Sequence, residues 1–170
     1  MPRVLADGKT KFTILTTAPA DPAAPTATEL NAGIDLSCKV LSEGFEFGPT
    51  DSETVDEAAL CDEGAAVSFG RSNYSAAFTL WRYFLEAGGA DPDEDAGFAA
   101  VKAKGATLYG YTRRTDKKAT EDWASADEIR FGAEFTVDNL QDQAGGWIKY
   151  RVPGAVQRGL VIFGQVGAGA

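Results

Sequence analysis

A chain of 170 residues, 44% hydrophobic and 24% charged, is long enough to bury the core of one domain and has the composition of neither a disordered nor a fibrous protein. Lys and Arg number 16 against 25 Asp and Glu, and the net charge of -9 disfavours tight binding to a phosphate backbone. The chain has no histidine, which removes Ser-His-Asp and Cys-His catalysis in their usual forms, and two cysteines fall short of a closed zinc site. No apolar run approaches the roughly 20 residues that cross a bilayer.

In chain order, Lys9 and Lys11 precede "FTILTTAPA", which has the outline of a leader segment, but Thr13, Thr16 and Thr17 interrupt its apolar part. Alternation with Phe12 and Ile14 on one face predicts a strand there instead. Residues 18–33 follow as an extended arm, stiffened by Pro19, Pro22 and Pro25, and end in a short capped turn. Thr26 or Thr28 caps the turn, Gly33 ends it in the left-handed conformation, and Leu30 and Ile34 pin it, so Leu30, Gly33 and Ile34 are the expected anchor of the arm.

Residues 43–63 carry eight acidic side chains, Glu53, Asp56 and Glu57 among them, and no lysine or arginine; this is an acidic loop. Cys38 and Cys61 could pair, but two cysteines make no disulfide framework, and they read as two buried free thiols. Between residues 66 and 84 the alternation runs in two phases, Val67 and Phe69 first, then Tyr74, Ala76, Phe78 and Leu80, which places a turn or bulge near Gly70–Asn73.

A helix is predicted over 91–104, with Asp91 as N-cap, Pro92 in its first turn, Glu94 completing a capping box, Phe98 and Val101 facing the core and Gly105 beyond its end. Asp91, Asp93 and Asp95 begin like a calcium loop, but Lys102 stands where a bidentate glutamate is needed, so no metal is expected. Four further strands follow, "GATLYGYTR", "IRFGAEFTV", "GGWIKYRV" and "RGLVIFGQV". In the second of these Ile129, Phe131, Ala133, Phe135 and Val137 share one face, leaving the other wet. Arg113, Arg114, Lys117 and Lys118 form a basic patch after the first, and complementary acidic and basic patches on one molecule suit head-to-tail association. Trp81, Trp123 and Trp147 could form a sugar-binding platform, although aromatics in a β protein are more often core.

The segments "PTATELNAGIDLSC", "SEGFEFGPTDSETVDEAALCDEG" and "YSAAFTLWRYF", the helix before "ATLYGYTRR" and the closing strands together resemble the major tail proteins of long-tailed bacteriophages, nearest to those of phages infecting actinobacteria. The likeness includes a Thr-x-x-Glu-Leu-Asn-Ala-Gly-like segment, matched at Thr26, Glu29, Leu30, Asn31, Ala32 and Gly33. The resemblance implies one domain over residues 1–170, mainly β, a sandwich or barrel-like tail tube fold with one flanking helix, and a structural role without catalysis or cofactor. It further implies hexameric rings stacked into a tube in the virion tail, assembled in the host cytoplasm. The implied partners are other copies of the chain, the tape measure protein, and the tail terminator and tail tip proteins, with DNA passing through the lumen without specific binding. In such a tube Arg113, Arg114, Lys117 and Lys118 are the expected ring-stacking partners of Glu53, Asp56 and Glu57, and the arm positions the N-terminal region for a neighbour. The alternatives are another virion component, such as a decoration or tail-terminator protein, and a carbohydrate-binding β-sandwich module.

Overall fold

The computed structural model describes residues 3–169. Its first strand, β1 (Thr10–Leu15), is the segment whose threonines argued against a leader. A short helix α1 (Ala27–Asn31) and a two-residue strand β2 (Ile34–Asp35) follow. Then come β3 (Glu46–Thr50), β4 (Thr54–Asp56), β5 (Val67–Phe69) and β6 (Asn73–Trp81). Helix α2 (Ala96–Val101) precedes β7 (Thr107–Arg114), β8 (Glu128–Val137), β9 (Gln141–Gln143) and β10 (Lys149–Gln165).

Eight strands form one antiparallel sheet in the order β2-β1-β7-β8-β10-β6-β3, with β9 added alongside β10; β4 and β5 form a separate two-stranded hairpin. The sheet rolls on itself. Phe12 of β1 and Phe47 of β3 stand near opposite ends of the strand order, yet their rings lie 5.1 Å apart, and Phe47 also meets Phe131 and Phe135 of β8 edge-on. The fold is the expected mainly β, sandwich-like one. Its main core is Phe131, Ala133, Phe135 and Val137 of β8 together with Phe12, Ile14, Phe78, Leu80, Leu108 and Val152, while Ile129, at the start of the same period-2 row, packs in a second cluster. Gly110 makes the closure possible, because a Cβ there would stand 2.6 Å from the Phe47 ring.

The opposite face of β1, β7 and β8 is covered as well. A second cluster of Leu15, Leu30, Tyr111, Trp123, Ile129 and Val166 lies there beneath the proline arm, so the side of β8 expected to be wet is half-buried. Tyr111 donates its hydroxyl hydrogen to the Pro22 carbonyl at 2.7 Å, and Gly167 N–H donates to the Pro25 carbonyl at 2.9 Å. Burial pushes the Tyr111 hydroxyl well above its ordinary range, reinforced by the charges of Glu29 and Asp21, so it stays a donor.

Two elements differ from expectation. The helix over 91–104 is confined to Ala96–Val101, because Asp91 Oδ1 accepts from the Asp93 and Glu94 amides in a preceding turn. Asp95, the residue at its N-cap, makes no side-chain cap bond; its buried carboxylate is held by Arg82 and the Tyr83 amide. The two final strands are one strand of 17 residues, β10, which pairs with β6 as far as Gly154 and with β8 from Gly154 onward. Gly154 and the glycines after it punctuate the sequence without ending the strand.

Candidate functional site

The turn after the proline-rich segment is a capped helix. Thr26 and Glu29 form a full capping box on α1: Glu29 N–H donates to Thr26 Oγ1 at 3.3 Å, and Thr26 N–H donates to Glu29 Oε2 at 2.9 Å. Bonds from the backbone of Ala20 and Thr26 hold the Glu29 carboxyl below its ordinary value. Leu30 is 1% exposed in the second core, and Ile34 pairs with Ile14. Asn31 clamps the backbone of Trp123 from both sides, accepting from its N–H at 2.9 Å and donating to its carbonyl at 3.0 Å. Gly33 is not left-handed; Ala32 closes the helix, and Gly33 is needed because a Cβ there would collide with the Leu15 side chain and stand 2.9 Å from the Ile14 carbonyl. All these contacts lie within the subunit, so the arm is fastened to its own sheet.

The basic patch is divided. Arg113 is entirely buried: one guanidinium nitrogen meets Asp127 and the Asp122 carbonyl, and the other donates to the carbonyls of Lys118 and Glu121. Its plane lies over Trp123, 5.3 Å from the ring. Lys117 binds the other oxygen of Asp127. Burial alone would raise the Asp127 carboxyl, but the Lys117 and Ala124 hydrogen bonds and the Lys117 and Arg113 charges outweigh it and hold it below 3.8. Arg113 is therefore part of the framework and is not a surface cation. Arg114 and Lys118 are exposed and have no carboxylate partner among the described residues. Burial lowers the Arg130 guanidinium, and the nearby Arg114 charge adds to this.

Asp56 is in β4 and Glu53 and Glu57 flank it in the chain; all three are exposed. The acidic segment is not all loop, since β3 occupies residues 46–50 and buries Phe47 in the core, and β4 occupies residues 54–56. What projects is residues 51–72, and it carries apolar side chains in the open: Val55, Leu60, Val67 and Phe69, the last 84% exposed. Cys38 and Cys61 are exposed free thiols, Cys38 in the turn after β2 and Cys61 near the hairpin tip, which corrects the expectation of burial. No group of three acidic or cysteine side chains is placed to hold a metal among the described residues. The three tryptophans do not form a platform: Trp123 is buried with its Nε1–H bonded to Thr13, while exposed Trp147 stands edge-on to Trp81.

One feature had no signal in the sequence pattern. From residue 155 to 165, β10 pairs on one side only, with β8, and in this stretch Ile162 and Phe163 are exposed. Phe163 is also one of two non-glycine residues with positive φ among those described, at 51°. A long, apolar strand edge of this kind is a template for another chain.

This is a rolled β-sheet whose buried charges hold its own framework and whose apolar side chains are exposed on a strand edge and a projecting hairpin. The chain belongs to the phage tail tube protein family, whose model matches residues 1–169. It is thus a structural component of a phage tail. No curated protein matches it.

Proposed function

We propose that six copies close into a ring, that rings stack into the tail tube, and that the tube conducts DNA during ejection. The observation that carries this reading is the unpaired edge of β10 over residues 155–165, with Ile162 and Phe163 exposed beside it. Closing a ring through this edge satisfies its backbone groups and removes an aggregation hazard from the single subunit. Six subunits at -9 each carry -54, and a lumen sharing that sign repels phosphates, so DNA slides instead of adhering. The tape measure protein fills the lumen before ejection, and the tail tip and terminator proteins start and end the stack.

Between rings, Arg114 and Lys118 supply free cations and Glu53, Asp56 and Glu57 supply anions; Lys117 contributes only what its bond to Asp127 leaves over. The test replaces Ile162 and Phe163 together by lysine. Negative-stain microscopy of the concentrated variant is expected to find folded subunits without rings, where the parent forms rings and tubes. Rings of normal yield from the variant would refute closure through this edge.

A further inference from the structure

The open edge of β10 is irregular at three places. Its pairing with β8 skips Gln157 and Leu160, each an extra residue with none opposite it. Between the pairs Ile162–Phe131 and Gly164–Ile129 the backbone of Phe163 turns left-handed, with φ 51°. The interruptions stand three residues apart, so no more than two regular residues in a row face outward between Gln157 and Phe163.

The kink at Phe163 is tight. A Cβ on Gly164 would collide with the side chain of Val161, three residues back, whereas residues three apart in an extended strand stand about 10 Å from each other. Gly164 itself has no positive φ, so it is the closeness of Val161 that demands glycine there. A left-handed aromatic residue is an outlier that its surroundings must hold. The Phe163 ring is 70% exposed, so little of it packs on its own subunit; the flanking pairs with β8 fix the residue in place. Those pairs share one register, which leaves Phe163 opposite Arg130. Straightening residue 163 therefore requires no slip of the strand, and it supplies the missing step of the ladder.

Kinks and bulges keep an open edge from pairing indiscriminately. We propose that the left-handed kink at Phe163 is a latch, which holds the β10 edge irregular in the free subunit and passes to the extended region when a strand of the neighbouring copy pairs with that edge. The proposal rests on ring closure through β10 and adds the change of state that accompanies it. Strain held at Phe163 in the free subunit is released on closure.

Two substitutions bias the latch in opposite directions. Gly164→Ala keeps the exposed Ile162 and Phe163 side chains, collides with Val161 in the kinked state and fits an extended strand. Phe163→Gly adopts the left-handed state without strain. Tube formation is followed by pelleting and negative-stain microscopy over a concentration series. Folded Gly164→Ala is expected to form tubes at a concentration lower than the parent by about tenfold. Phe163→Gly should need one higher by about tenfold. Cryo-electron microscopy of the parent tube, which decides the matter where Gly164→Ala fails to fold, should show Phe163 at negative φ. Phe163 left-handed in the parent tube, or folded Gly164→Ala needing the parent's concentration or more, overturns the latch while leaving ring closure through β10 in place. Tubes in which residues 155–165 pair with no neighbouring strand, or no tubes at any concentration with tail tip partners added, overturn the ring contact itself.

Discussion

Arg113 and Asp127 meet at 3.0 Å with the arginine side chain wholly buried and the aspartate 10% exposed. Removing the cation leaves a nearly buried carboxylate with only Lys117 and the Ala124 amide, and takes a donor from three carbonyls. Arg113→Ala is therefore expected to cost about 3–5 kcal/mol of subunit stability. Lys118→Ala, at an exposed position, should stay within about 0.5 kcal/mol. Urea denaturation of the monomer measures both, and equal effects would mean that Arg113 is a surface residue.

The same cluster sets a response to acid. Asp127 and Asp35 both have folded values held below 3.8, Asp35 because bonds from Lys11 and Ser37 outweigh the upward push of burial. A carboxyl with a depressed folded value contributes its full stability above its unfolded value, and loses it as pH falls through the folded one. Stability should thus be level near neutrality and decline below about pH 4. Denaturation midpoints across that range are expected to decline less steeply for Asp127→Asn, although that variant starts from a lower stability.

Closure of the sheet depends on one ring. Phe47 is 3% exposed and reaches Phe12, Phe131 and Phe135 across the core. Phe47→Ala should cost about 3–5 kcal/mol. A loss below about 1 kcal/mol would mean that β3 is an appendage and not a wall of the core.

The turn that fastens the arm should respond on a smaller scale. Thr26→Ala removes the capping oxygen of α1 and is expected to cost about 1 kcal/mol. Hydrogen exchange should quicken at the Glu29 amide and at Gly167, whose N–H bonds to Pro25 beside the cap.

What the sequence revealed and what it concealed divide along the range of the forces involved. The face Phe131–Val137 and the Thr26–Glu29 cap depend on neighbours in sequence, and both appear where the local pattern puts them, whereas Ile129 of the same row packs in the second cluster. Asp95 makes no cap bond to the second helix because Arg82 takes its carboxylate, a contact that local pattern around residue 95 does not encode. Arg113 looked like surface charge because arginine is seldom fully buried, and its partners Asp122 and Asp127 come from the loop that follows β7. Val67 and Phe69 alternate like core residues but stand in solvent on the projection, and Pro153 and Gly154 hid the continuity of β10. The exposed edge of β10 and the division of the basic patch, on which the assembly surfaces depend, follow from strand order, and local pattern does not encode it.

Ring formation and stacking are tested most directly by cryo-electron microscopy of the concentrated protein with its tail tip partners. The account predicts hollow tubes of stacked six-subunit rings, with β10 edges at the subunit boundaries within each ring. Isolated globular subunits, or a filament without a central channel, would contradict it.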